Sequence, residues 1–372
     1  MIMIYEEYET KHILNTSKHV DGGWFWNKYS AFPYVGCEWG CTYCYQRDEK
    51  YNPYRSTQGI KQLEDPFSEY IKVKKDAPKL FRKALKNKPR DVIYLDNYQP
   101  VDTKYKYTRD MLKVCRDLNF PIFINEKSPM LVRDLDILKE ISKQSYVNVG
   151  WSLFTSVDDD TRSIFEPKAP PVKDRFEAMR ILSENGILTG TVMMPILPYI
   201  YDNEENIKET IRNTKENGGK FLLDGGLTLE GYCGEYFYKF LQKYDVDLVH
   251  RYKELYLKKD APAKHFAGTH KLILEYCEKH NIQNHIPRPV DHYPENLRIN
   301  KRISGDFYLK AREINLARGQ SYREWAYRKA AWSLDELEKS IEEIYIEEGT
   351  EGVRKIKGIG SSLSKQIIEY FI

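Results

Sequence analysis

Asp91-Val-Ile-Tyr-Leu-Asp96, Pro121-Ile-Phe-Ile-Asn125, Tyr146-Val-Asn-Val-Gly-Trp151, Ile187-Leu-Thr-Gly-Thr-Val-Met-Met194 and Lys220-Phe-Leu-Leu-Asp224 are short apolar runs rich in β-branched and aromatic residues. Segments of helical periodicity separate them, and that alternation predicts a parallel α/β sheet. Between the runs, Leu131, Leu135, Leu138 and Ile141 fall on one helical face. Met179 and Leu182 do the same within 175–185, and Gly186 is placed to stop that helix. A further strand at about Ala31 to Gly36 brings the count to six β/α units. The fold class expected is α/β, a partial (β/α)6 TIM-type barrel whose chemistry sits at the C-terminal ends of its strands.

The chain has 372 residues, enough for two or three domains at roughly 100–200 residues each. Lys plus Arg is 58 against 55 for Asp plus Glu, so the net charge of +3 neither demands nor forbids a polyanionic partner. No run approaches the roughly 20 apolar residues of a membrane span. Glu6, Glu7 and Glu9 stand where a secretory signal needs a basic start, so a cytoplasmic protein is expected. The expected domains are an N-terminal extension (1–30), the barrel (31–230), a helical extension with a proline-rich arm (231–312) and a small all-α domain (313–372). In the arm, prolines recur through 284–294 and no helix can continue. His280, His285 and His292 are too irregularly spaced for a ligand set. Arg288, Arg298, Lys301 and Arg302 form a local basic stretch, readable as a nucleic-acid path or as a solvated face.

Three of the six cysteines crowd into Cys37-Glu-Trp-Gly-Cys41-Thr-Tyr-Cys44. In a reducing compartment such clustering argues for metal rather than disulfide. Three thiolates in one loop can ligate three irons of a [4Fe–4S] cluster and leave the fourth iron open to a small molecule. A Cys3His zinc site is the alternative. Cys115, in an amphipathic segment, reads as a core thiol. Cys233 follows the last expected strand, in a loop that could face the barrel mouth.

The Cys-x3-Cys-x2-Cys spacing, with Tyr43 before the last cysteine, resembles the radical S-adenosylmethionine (SAM) superfamily. Within it, the stretch Pro33 to Tyr45, Asp96-Asn-Tyr-Gln-Pro100, Glu126-Lys-Ser-Pro-Met-Leu-Val-Arg-Asp134, Phe165-Glu-Pro-Lys-Ala-Pro170 and Met194-Pro-Ile-Leu-Pro198 are similar to successive motifs of the spore photoproduct lyase-like branch, often labelled DNA repair photolyases. The resemblance implies a [4Fe–4S] cluster on Cys37, Cys41 and Cys44 that binds S-adenosylmethionine. An external one-electron reductant, such as ferredoxin or flavodoxin, then drives cleavage to methionine and a 5′-deoxyadenosyl radical. It further implies Tyr43 near the adenine, Asp96, Asn97 and Tyr98 near the methionine amino group, and Lys127 near the carboxylate, with Ser152 a further contact. On the residues alone, the plain alternatives are a solvated lysine for Lys127, a helix N-cap for Asp96 and a satisfied hydroxyl for Ser152. The branch carries a fourth cysteine some forty residues beyond the triplet; Leu80 to Asn87 has none. Cys233 is the substitute hydrogen-atom donor expected here, and Tyr45 holds the position of a tyrosine in the family's radical relay.

Near the C-terminus, Lys355-Ile-Lys-Gly-Ile-Gly-Ser-Ser-Leu-Ser-Lys-Gln-Ile reads as two helices joined by Gly358-Ile-Gly360. Together with Tyr322 to Tyr345 it resembles the helix-hairpin-helix domain of polymerase beta-type DNA polymerases. That resemblance implies a grip on the nucleic-acid backbone through Lys357, Gly358, Gly360, Ser361 and Lys365. The plain alternative is a turn that only joins two packed helices. The function expected is a radical SAM enzyme acting on nucleic acid, DNA foremost, by lesion repair of the spore photoproduct lyase type. A radical enzyme modifying tRNA or a peptide, and a non-catalytic iron–sulfur DNA-binding protein, are the alternatives.

Overall fold

β-branched and aromatic runs buried on both faces cannot stay as isolated strands, and here they pair side by side. The computed structural model describes residues 3–20, 22–53, 63–96, 98–153, 159–317 and 320–371. Ten strands appear among them: β1 (Ile4–Tyr8), β2 (Leu14–Thr16), β3 (Tyr29–Ala31), β4 (Tyr34–Val35), β5 (Tyr70–Lys74), β6 (Ile93–Leu95), β7 (Ile122–Glu126), β8 (Val147–Ser152), β9 (Leu188–Ile196) and β10 (Leu222–Gly226). The larger sheet has the order β10-β9-β8-β7-β6-β3-β2. Its strands from β3 to β10 are parallel neighbours, and β2 closes one edge antiparallel to β3. This is the partial barrel of six parallel strands that the runs predict.

One strand differs from expectation. The run 31–36 is divided at Pro33: Tyr29–Ala31 joins the barrel, while Tyr34–Val35 pairs antiparallel with β5 in a separate sheet of order β1-β5-β4. Proline has no N–H to give a central ladder, so the chain changes sheets there.

Alternation sorts the barrel residues. Leu95, Ile124 and Val149 lie in register and pack with Met111, Leu112 and Cys115 of the helix Tyr107–Leu118 in one core. Each large side chain so buried stabilises by about 1.5–3 kcal/mol. Cys115 is fully buried, the core thiol expected. On the opposite strand face Tyr94 and Phe123 are aligned; Phe32 meets Tyr94 edge-on at 5.9 Å, and Tyr94 lies tilted against Phe123 at 5.7 Å.

The chain divides into two units, one of residues 1–16 and 29–284, the other of residues 17–28 and 285–372. The three helices Gly231–Tyr244, Val246–Leu257 and Ala261–Lys279 therefore belong with the barrel, and the boundary read at 312/313 falls inside the helix Arg298–Leu316. The second unit is helical: Arg298–Leu316, Ser321–Asp335, Ile341–Lys355 and Ser361–Ile368. A strap from the N-terminal region lies in it. Trp26 Nε1 donates to Ile286 O at 2.7 Å, and His19 stacks on Trp332 at 4.1 Å.

The basic stretch of this unit is not one surface. Arg288 is ion-paired with Asp335 and donates to Ser304 Oγ at 2.5 Å and Lys301 O at 2.9 Å; Lys301 Nζ is 3.3 Å from the same carboxylate. Arg298 Nη2 donates to Asp291 O at 2.8 Å. Of the four residues, Arg302 is exposed, whereas Arg288 and Lys301 hold the interior together.

Candidate functional site

The cysteine loop follows β4 and turns at two glycines with positive φ, Gly36 (+91°) and Gly40 (+64°). At Gly36 a Cβ would stand 2.9 Å from Tyr70 O, so the turn needs glycine for space as well as for conformation. Residues beyond the C-terminal ends of other strands pin the loop down. Thr42 N donates to Phe165 O at 2.9 Å, Trp39 Nε1 to Tyr98 O at 3.2 Å, and Glu38 N to Gln99 Oε1 at 2.9 Å. The loop thus crosses the rim where barrel chemistry is located.

Cys41 is buried and Cys37 and Cys44 are half-buried; none is in a disulfide. Burial first, then the neighbouring thiols, pushes Cys37 up, and Cys44 rises to about 12. Only the thiolate ligates a metal, so a cationic iron core would have to offset this burial penalty. Among the described residues no three His, Cys, Asp or Glu side chains converge as ligands of one ion. A cubane takes one thiolate on each of three irons, which three thiols of one loop can supply, whereas Cys3His zinc needs a histidine as fourth ligand beside them.

Beside the thiols lies a charged knot. Tyr43 Oη donates to Glu166 Oε1; Lys127 Nζ reaches Glu166 Oε1 at 2.8 Å, Ser152 Oγ at 2.5 Å and Tyr43 Oη at 3.3 Å. Arg175 is ion-paired with Glu166 Oε2 and donates to Ser152 O at 2.9 Å. Burial opposes the Glu166 charge, but Arg175 and Lys127 hold its carboxyl down at about 2. Lys127 is thus a partnered lysine and not a solvated one. Of the residues singled out from the sequence, the fold brings Tyr43, Lys127 and Ser152 together. Glu166 and Arg175, which join them, were not singled out from the sequence, although Glu166 sits inside a quoted motif.

Asp96 caps no helix, since the next one begins at Val101. Burial raises its carboxyl to about 6 against the pull of Lys127, and Tyr94 Oη donates to it at 3.3 Å. Tyr98 is turned away: its hydroxyl donates to Asp134 Oδ2 at 2.9 Å and its amide to Glu126 Oε1 at 2.7 Å. Asn97 lies outside the described residues. Glu126 also accepts the amides of Lys127 at 2.9 Å and Ser128 at 3.2 Å, tying two strand-end loops together.

Tyr45 is 55% exposed and stands edge-on to Tyr51 at 5.1 Å. Cys233 is not on a loop. It lies in the first turn of Gly231–Tyr244, where its Sγ donates to Tyr43 O at 3.3 Å and its amide to Asp48 Oδ1 at 3.1 Å. Burial, and then Asp48, raises its thiol to about 11.

In the second unit the turn between Ile341–Lys355 and Ser361–Ile368 buries Ile359 and exposes Lys357, Gly358, Gly360, Ser361 and Lys365. Gly358 has φ +84°, and nothing lies within 4 Å of a Cβ placed on Gly360. Lys355 is held by Glu348 at 2.7 Å.

A six-stranded partial barrel with three loop thiols at its rim defines a radical enzyme class, and the sequence agrees: the model of the radical SAM superfamily matches residues 32–228. The chain belongs to that superfamily, whose members bind a [4Fe–4S] cluster and S-adenosylmethionine and draw an electron from an external reductant. It is similar to an uncharacterised protein of Methanocaldococcus jannaschii, 30% identical over 185 residues, which are 49% of this chain and 66% of that one. An uncharacterised protein of Mycobacterium tuberculosis is 24% identical over 239 residues, 62% of this chain and 67% of that one. The match thus spans about two thirds of these curated relatives. Among solved structures, a spore photoproduct lyase variant with bound AdoMet and dinucleoside spore photoproduct aligns with TM-score 0.51 and 15% identity, covering 74% of this chain and 79% of that one. At that identity the likeness is one of fold. No helix among the described residues is long and apolar enough to cross a membrane.

Proposed function

We propose that Cys37, Cys41 and Cys44 carry the cluster and that the enzyme acts on nucleic acid, with DNA lesion repair of the spore photoproduct lyase type as its activity. The observation that carries the cofactor assignment is the meeting of Lys127, Ser152, Tyr43 and Glu166 beside the three thiols. When bound and reduced, the cluster and S-adenosylmethionine together supply a 5′-deoxyadenosyl radical that removes a substrate hydrogen. Lys127 binds the cofactor carboxylate, oriented by Glu166 and Ser152. Tyr43 offers its ring to the adenine and Asp96 accepts from the amino group, while Tyr98, bonded to Asp134 and Glu126, braces the strand end behind it. Phe32, Tyr94 and Phe123 form an apolar wall that excludes water.

Cys233 and Tyr45 are the proposed hydrogen-atom carriers. What supports them is the 3.3 Å bond from the Cys233 thiol into the cysteine loop and the exposure of Tyr45 directly after Cys44. The nucleic-acid half of the reading rests on Lys357, Gly358, Gly360, Ser361 and Lys365 and on the helix-hairpin-helix resemblance, with exposed amides and lysines suited to phosphate.

The test is anaerobic reconstitution and dithionite reduction, followed by 5′-deoxyadenosine formation with undamaged DNA, ultraviolet-irradiated DNA or RNA. Stimulation by irradiated DNA alone is expected. Formation indifferent to all three would overturn the nucleic-acid assignment in favour of a peptide or small molecule, and absence of product despite a bound cluster would overturn the enzyme.

A further inference from the structure

We infer that Arg47 is the positioning residue of the cysteine loop, and that the helix Gly231–Tyr244, beyond the residues the superfamily model matches, is the wall that keeps it in place. The inference rests on the reading that this loop carries the cluster.

Arg47 is fully buried three residues after Cys44. Its Nε donates to Cys41 O at 2.8 Å and its Nη2 to Gly40 O at 2.7 Å. Two further donors meet Asp65 in a fork, Nη1 to Oδ1 at 2.7 Å and Nη2 to Oδ2 at 3.1 Å, and Ser68 Oγ donates to the same carboxylate at 2.7 Å. The guanidinium lies between two rings, 3.8 Å from the centroid of Tyr236 and 4.7 Å from that of Phe67. A buried arginine is tolerated only when paired and hydrogen-bonded, and here every partner either belongs to the cysteine loop or braces the group that holds it.

The loop needs such a brace. Gly40, between the first two cysteines, sits at φ +64°, and its own N–H closes only a long turn onto Cys37 O at 3.3 Å. Fixing the carbonyls of Gly40 and Cys41 fixes the direction of the Cys41 Cα–Cβ bond, and with it where that thiolate can reach. The helix Gly231–Tyr244 supplies three of the ties: Tyr236 on the guanidinium, Cys233 Sγ on Tyr43 O, and the Cys233 amide on Asp48 Oδ1. A planar fork with five donors can satisfy two carbonyls and a carboxylate together; an ammonium cannot reproduce that geometry.

The decisive measurement is alkylation of the apo full-length protein with iodoacetamide under reducing, metal-free conditions, read cysteine by cysteine by mass spectrometry. Arg47→Met and Arg47→Lys should each let Cys37, Cys41 and Cys44 react about tenfold faster, with Cys115 and Cys277 unchanged, because a local opening and not global unfolding is what the clamp prevents. Tyr236→Leu should move the same three sites in the same direction. Unchanged loop thiols, acceleration at Cys115 and Cys277 as well, or full restoration by lysine would each overturn the positioning role. In reconstituted protein, the same variants should shorten the lifetime of the cluster absorbance in chelator. If the unmutated protein takes up no cluster, the cluster assignment falls while the alkylation result still decides the clamp.

Discussion

Lys127 Nζ lies 2.8 Å from Glu166 Oε1, joining the residue after β7 to one beyond the end of β8. Glu166 is fully buried and carries Arg175 on its other oxygen. Removing one member of a buried pair leaves the others uncompensated, at a cost of about 3–5 kcal/mol. Glu166→Gln should therefore lower stability by that order in urea unfolding. A loss under about 1 kcal/mol would show that the knot holds nothing.

Lys127→Ala should leave iron content intact and weaken S-adenosylmethionine binding about ten- to a hundredfold, the range of a charge-assisted hydrogen bond worth roughly 1.5–3 kcal/mol. Equilibrium dialysis of the reconstituted protein measures it. Unaltered affinity would remove Lys127 from the cofactor site.

His292 supplies a pH test in the second unit. Both its ring nitrogens are buried without a hydrogen-bond partner, and the ring lies 4.0 Å from Tyr293. Burial first, then Arg288 and Lys301, lowers it from 6.5 to about 4. The unfolded chain binds the proton at higher pH than the folded one, so stability is full above pH 6.5 and declines as pH falls toward about 4. The decline should approach about 3 kcal/mol. Replacing His292 with Phe should flatten the urea midpoint between pH 7 and pH 5; an unchanged slope would assign the acid sensitivity elsewhere.

Gly22 tests the strap. A Cβ there would stand 2.2 Å from the ring of Tyr308, itself a buried residue. Gly22→Ala should cost about 1–3 kcal/mol as an overpacked contact. Equal stability of the variant would mean that the strap is not seated on Tyr308.

Lys357→Glu combined with Lys365→Glu should weaken DNA binding and flatten its dependence on salt, because phosphate contacts release counterions. Fluorescence anisotropy across a salt series reads this directly. Retained binding with an unchanged slope would place any DNA contact off the hairpin.

Much of the barrel was legible because each strand is a short run flanked by breakers, and a run buried on both faces needs no knowledge of its partners. The thiols were legible for the same reason: eight consecutive positions contain them all. The charged knot was not, since Tyr43 and Glu166 are 123 positions apart and only the closed barrel brings them together. Arg47 carries no signal that separates a buried clamp from a surface arginine until Asp65 and Tyr236 are in place. Cys233 was misread as a loop residue because Gly231 and Gly234 suggest a turn, whereas Gly231, at φ +55°, starts a helix. The strand at Ala31 failed at Pro33, where proline chemistry outweighed an otherwise apolar run.

The strap also sets an order of events. Trp26 and its acceptor at Ile286 are 260 positions apart, with nearly all of the barrel encoded between them. As the polypeptide leaves the ribosome, Ser17–Lys28 emerges early and waits, its aromatic side chains without a seat, until the last helices are made. Closing so long a loop is slow and favours late assembly. The second unit is then the natural place for a chaperone to act, and a single protease cut near the strap would loosen helices encoded some three hundred codons downstream.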